Sequence, residues 1–160
     1  MATMRLPLAV LIAIPVAVFP AGDAALDRET LRGLKAVNVV IDPVHAELEN
    51  QGIIPDDLRA QIQTQLQNAG IAVDENAREF LGVRILPARQ KNGPYSISAS
   101  LGLYQPVQLV RDAKIRTATQ TWEVESVSVV QPKLLRTSSM SVVGQLVDAF
   151  IAAYQSVNTP

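Results

Sequence analysis

The sequence has 160 residues, 48% hydrophobic and 18% charged, with a formal net charge of -1, one His and no Cys. This suits one modest domain and removes disulfides, thiol nucleophiles, Cys-held iron-sulfur clusters, Cys-ligated zinc and Cys-borne lipid anchors. A lone His excludes a multi-His metal site, and near-neutral charge argues against nucleic acid as a partner, because phosphate binding needs clustered Lys and Arg.

Residues 1–24 read as a signal peptide. Arg5 supplies the positive start, Leu6 to Phe19 is a largely apolar stretch without charge, and Gly22 and Ala24 are the small residues expected before a cut between Ala24 and Ala25. A bilayer span wants about 20 apolar residues and Pro15 weakens a helix. Removal is therefore preferred to retention as an anchor from Leu6 to Gly22, and either outcome exports the domain, making the protein periplasmic or secreted. Residues 25–160 form a single domain, with room for a core burying roughly two thirds of the unfolded chain's surface. Residues 25–80 carry ten acids and five bases, residues 81–160 four acids and eight bases. This asymmetry reads first as attraction between parts of one domain.

Ala36 to Ile41 is rich in β-branched residues and stopped by Asp42-Pro43, predicting a first strand followed by a loop. From Pro55 to Ala69, the residues Leu58, Ile62, Leu66 and Ala69 share one helical face, with Asp56 and Asp57 favouring the N-terminal end and Gly70 the stop. The alternating Gln61, Gln63, Gln65 and Gln67 imitate a strand but leave the apolar stripe intact. Ile71 to Val73 predicts a short strand parallel to the first, and Asp74 to Phe80 a capped helical turn. Leu81, Val83 and Ile85 predict a third strand ending near Pro87, and Lys91-Asn92-Gly93-Pro94 a turn.

Two long strands come next. Odd positions are apolar in the first (Tyr95, Ile97, Ala99, Leu101, Leu103, Val107, Leu109) and even positions in the second (Ala118, Trp122, Val124). A hairpin turning at Arg111 to Lys114 pairs Leu101 with Val124, Leu103 with Trp122 and Val110 with Ile115. Pro106 cannot donate to that ladder, which predicts a bulge or an edge there. The last element is an amphipathic helix from Ser138 to Ser156, capped by Thr137 or Ser138, with Val143, Val147, Phe150, Ile151 and Tyr154 buried. The fold class is α+β: a two-layer sandwich with a mixed, mostly antiparallel sheet of four or five strands and two main helices on one face.

No reactive set converges in the sequence. His45 sits just past the first strand, but no Gly-x-Ser-x-Gly elbow exists and no glycine precedes a serine by two places. The acid pairs Glu47/Glu49, Asp56/Asp57, Asp74/Glu75 and Glu123/Glu125 are near in sequence only, whereas glycoside hydrolysis needs two acids across a cleft. Asp-x-Asp-x-Asp-Gly calcium loops and Gly-rich phosphate loops are absent, so no metal and no cofactor is implied.

Two surfaces are candidates for binding. On the sheet face away from the helices, Ser96, Ser98 and Ser100 are expected beside Thr117, Thr119 and Thr121, with Tyr104 on the same side; the plain alternative is a solvated antiparallel face. The basic set Arg84, Arg89, Lys91, Arg111, Lys114 and Arg116 gathers near strand ends, where it serves solubility and edge protection or meets an anionic surface. Trp122 falls on the core side.

Leu34-Lys35-Ala36-Val37, Gln67-Asn68-Ala69-Gly70-Ile71, Gln105-Pro106-Val107, Thr121-Trp122 and the closing Phe150 to Asn158 together resemble a group of small exported bacterial proteins of unknown function. The likeness covers most of the mature chain and brings no functional residues with it. The strand-helix-strand opening is similar in outline to small α/β modules of bacterial envelope assembly proteins, a likeness of fold only. The expected function is a soluble, non-enzymatic exported module binding a protein, a glycan or another envelope component. The alternatives are a hydrolytic enzyme of unrecognised type and a structural homodimer formed through the open sheet face.

Overall fold

The computed structural model describes residues 22–89, 91 and 93–158. Most of the leader reading, and Asn92 of the expected turn, lie outside the described residues.

The chain runs α1 (Ala25–Glu29), β1 (Ala36–Ile41), α2 (Ala46–Glu49), α3 (Pro55–Asn68), β2 (Ala72–Val73), β3 (Phe80–Arg89), β4 (Tyr95–Leu109), β5 (Asp112–Val130), a 3-10 turn (Pro132–Leu134) and α4 (Leu135–Asn158). The five strands form one sheet in the order β2-β1-β3-β4-β5. The β1–β2 and β1–β3 pairs are parallel and the other two antiparallel. This is the expected α+β sandwich.

Alternation creates its two layers. Val37 and Val39 of β1, Leu81, Val83 and Ile85 of β3, Tyr95 to Leu103 at odd positions of β4, and Trp122 and Val124 of β5 are all buried. They meet Leu58, Ile62 and Leu66 of α3 and Val143, Leu146, Val147 and Phe150 of α4, the apolar stripes that each helix must hide. Trp122 stands edge-on to Phe150, with ring centroids 5.3 Å apart, a favoured aromatic geometry.

The two main helices meet at Gly144. A side chain there would come within 3.1 Å of Gln61 Nε2. Gln61 donates to the Met140 carbonyl at 3.1 Å and Gln65 to Asp148 at 3.2 Å. The glutamine row that imitates a strand thus supplies part of the helix-helix seam.

Several boundaries differ from expectation. α2 is a short helix in a segment expected to be a loop, and α1 lies in residues to which the sequence assigned no element. Asp74 to Phe80 forms a turn without helix: Asp74 Oδ1 accepts from the Asn76 amide at 2.8 Å, and Phe80 already belongs to β3. β3 continues through Pro87, which pairs with Ile97. Val83 turns its carbonyl to Asp42 on the β1 side, so by alternation the missing N–H of Pro87 faces that same side, beyond the end of β1, where no ladder bond is lost. α4 begins at Leu135, directly after the 3-10 turn. Thr137 and Ser138 are therefore inside the helix instead of capping it, because buried Leu135 and Ser139 extend its inner stripe.

The largest departure is in the β4–β5 register. Leu101 pairs with Val124 and Leu103 with Trp122 as expected, but Tyr104 then pairs with Gln120. Thr121 is an extra residue, a bulge opposite the Leu103–Tyr104 step, while Pro106, where a bulge or an edge was expected, pairs regularly with Ala118. The hairpin closes with Leu109 opposite Asp112, so Val110-Arg111 makes the turn and Val110 does not pair with Ile115.

Candidate functional site

Every core-forming side chain of the sheet points toward the helices. The opposite face is uncovered by any element among the described residues. Its surface is built in cross-strand rows, since directly paired residues share a face. Phe80, Tyr104 and Gln120 form the first row, Val40, Gly82, Gly102 and Glu123 the second, and Asp42, Arg84, Ser100 and Glu125 the third. Leu86, Ser98 and Val127 form the fourth, and Ala88, Ser96 and Val129 the fifth.

The rows change in character along the strands. At one end Phe80 and Tyr104 stack, with centroids 4.9 Å apart and planes 4° from parallel. Tyr104 leans over Gly82, where a Cβ would meet its ring at 2.9 Å, and Gln120 covers Gly102 in the same way. Glycine in mid-strand is thus required by the side chains laid across it. In the middle, Arg84 Nε donates to Asp42 Oδ2 at 2.7 Å. That hydrogen bond and the Asp42 charge, with Tyr104 and Glu123 nearby, raise the guanidinium's pKa above its ordinary value. At the far end Leu86, Val127 and Val129 are 54%, 64% and 71% exposed, forming an apolar patch beside the acids. The hollow between Asp42, Gly82, Arg84, Gly102, Tyr104 and Glu123 measures about 30 Å³, roughly one water molecule. A wider recess of about 450 Å³ opens at the far end between Ala88, Arg89, Pro94, Ser96 and Val129, so the face combines a flat contact surface with a hollow beside its apolar patch.

The bulge divides the sequence-predicted residues. Ser98, Ser100 and Tyr104 lie on the open face together. Thr117 and Thr119 pair with Val107 and Gln105, whose odd positions point to the helix side, so these two threonines face away from the serines. Thr121, at the bulge, donates to Gln105 Oε1 at 2.7 Å, while its carbonyl accepts from Thr30 Oγ1 at 3.4 Å. A one-residue insertion exchanges the faces of everything beyond it. Sequence reading also passes over Phe80, Leu86, Val127 and Val129. The signal for three of these was present: Leu86, Val127 and Val129 are large apolar residues at positions that the alternation assigns to solvent.

The reactive candidates stay dispersed. His45 caps α2, its Nδ1 accepting from the Glu47 amide at 3.3 Å. Asp56 and Asp57 pair separately with Arg59 and Arg136. Asp74 is occupied by its turn, while Glu47, Glu49 and Glu75 are exposed. Among the described residues no group of three or more His, Cys, Asp or Glu is placed to hold a metal, and no helix is long and apolar enough to cross a membrane.

A second feature adjoins the face. Beyond Tyr104, β3 has ended, and β4 and β5 continue alone as a two-stranded arm through Gln105–Thr119. Residues 110–119 are all exposed, Val110 at the tip completely. Arg111, Lys114 and Arg116 lie on this arm, whereas Arg89 and Lys91 sit at the opposite end of the sheet, by the β3–β4 turn. With Arg84 in the middle of the open face against Asp42, the basic set falls in three places and is not one patch.

The chain matches no known protein family model and no curated protein. Among solved structures it is similar to a PelC dodecamer from Paraburkholderia phytofirmans, at 15% identity and a TM-score of 0.46, covering 87% of this chain and 96% of that one. It is also similar to a minor lipoprotein from Acinetobacter baumannii, at 14% identity and a TM-score of 0.36, covering 78% and 93%. At these values neither likeness carries an argument about function.

Proposed function

We propose that the chain is an exported, non-enzymatic module that binds a protein or glycan of the cell envelope through the open face of its sheet. The leader read in residues 1–24 supports export to the periplasm or beyond. The observation that carries the binding reading is a face that no element among the described residues covers, where Leu86, Val127 and Val129 stand exposed beside Arg84, Glu123 and Glu125. An apolar patch rimmed by charge is a feature of interaction surfaces, because leaving it in water costs free energy that a partner recovers. Ser98 lies in the middle of that patch, between Leu86 and Val127.

The test is capture of envelope components by the native chain and by two variants. Ser98→Arg, which places a long cation among the apolar side chains, is expected to abolish specific capture. Thr119→Arg, facing the other way on the arm, is expected to leave it intact. Capture that is unaffected by Ser98→Arg overturns the reading, as does capture lost equally with Thr119→Arg.

A further inference from the structure

The arm and the open face are complementary in chemistry. Along β5 the face presents Val129, Val127, Glu125 and Glu123 at alternate positions, about 7 Å apart. Neither glutamate has an ion-pair partner among the described residues. With Asp42 and Arg84 included, this face carries three acids and one base. The arm presents Val110 at its apex, then Arg111, Lys114 and Arg116, with Asp112 as its sole acid, so it carries three bases and one acid. None of these three cations has a carboxylate partner among the described residues; Arg116 lies against the Gln108 amide. Both surfaces therefore run from apolar to charged, with opposite sign.

The arm also lacks support from the described residues of its own chain. A two-stranded ribbon standing alone is at best marginally stable in water, and this one extends past the edge of β3 without a helix over either side among the described residues. Its charge does not fit it to the rest of its own body either, since the open face lies above its base on the same sheet and a ribbon cannot fold flat onto its own continuation.

From these placements we infer that the β4–β5 arm of one copy docks on the open face of a second copy. Val110 seats against Leu86, Val127 and Val129, and the arm's cations meet Glu123 and Glu125. It rests on the open face being a binding surface and assigns the apolar and acidic part of that surface to another copy of this chain. The two contacting patches are different, so the contact is heterologous. Each copy can give an arm to one neighbour and receive one from another, which produces a closed ring or an open chain and not a two-fold dimer.

Charge exchange tests this on the exported protein by light scattering. The native chain at low salt is expected to scatter as more than two copies, falling to a single copy at about 1 M salt, where screening acts within about 3 Å. Variant one, Glu123→Arg with Glu125→Arg, and variant two, Arg111→Glu with Lys114→Glu and Arg116→Glu, are each expected to be single copies. Mixed, they offer two opposite-charge contacts, the native arm on the native face and the reversed arm on the reversed face, and are expected to associate. A native single copy at all salts, association unaffected by either variant, or a mixture that stays apart overturns the inference. So does arm-dependent sedimentation with anionic vesicles by a native chain that never self-associates, which would assign the arm to lipid. Envelope capture that still responds to Ser98→Arg in any of these cases leaves the open-face reading standing, while self-association insensitive to salt together with capture insensitive to Ser98→Arg removes both.

Discussion

Asp23 shows how much can depend on one carboxylate. Its Oδ1 accepts from Trp122 Nε1 at 2.8 Å and from Arg28 Nε at 2.7 Å, joining the start of the described chain to the most buried ring of β5. Burial is the largest single influence on its pKa and favours the neutral acid. The hydrogen bonds from Arg28 and Trp122, with the Arg28 charge, together outweigh it and hold the carboxyl below its ordinary 3.8. A lowered folded-state pKa contributes stability that is fully present above the unfolded value and lost as pH falls through the folded one. Asp23→Asn is therefore expected to cost about 1–2 kcal/mol at neutral pH, since charge-assisted bonds exceed neutral ones. Urea denaturation across pH is expected to show the native chain losing that advantage below about pH 4 while the variant changes less. An equal acid dependence in both would show that Asp23 is not the group responsible. The same bonds bear on the leader: a cut between Ala24 and Ala25 would part Asp23 from the body, and the Trp122 indole N–H would lose its acceptor.

Among the elements, α4 and its seam with α3 show what sequence patterns carry. Leu58, Ile62 and Leu66, and Val143, Val147 and Phe150, are spaced to give one buried face each, and they do. The role of Gly144 is not visible in that pattern, because it depends on a side chain arriving from another helix. Gly144→Val is expected to destabilise the domain by about 1–3 kcal/mol, through overcrowding against Gln61. The measurement is the thermal midpoint, and a rise would mean that gained helix propensity outweighs the displaced hydrogen bonds. The strands tell a similar story. Ala36 to Ile41 and the Leu101–Val124 register were legible because alternation must bury one face. The bulge at Thr121 was not, since its bonds to Gln105 and Thr30 join residues far apart in sequence. It took Thr117 and Thr119 off the candidate face with it, while Ser98, Ser100 and Tyr104, lying on the regular strand, stayed where alternation put them.

Across the whole molecule, order is unevenly distributed. The body has helices on one side of five strands and a continuous core; among the described residues the arm has neither, although β4 and β5 run through both. Local opening is cheapest where few buried apolar contacts hold the backbone, so amide exchange is expected to divide these strands at the bulge. In dilute, high-salt solution, amides of Leu101, Leu103 and Val124 are expected to exchange only through near-global unfolding. Those of Arg116 and Ala118 are expected to exchange faster by orders of magnitude, because a free ribbon opens without disturbing the core. Protection of Arg116 and Ala118 is then expected to rise with protein concentration at low salt, as docking on another copy holds the ribbon closed by mass action. Protection of the arm equal to that of Leu101 in the dilute single copy would contradict a free-standing arm. Protection that stays low at every concentration would separate a mobile arm from an assembling one.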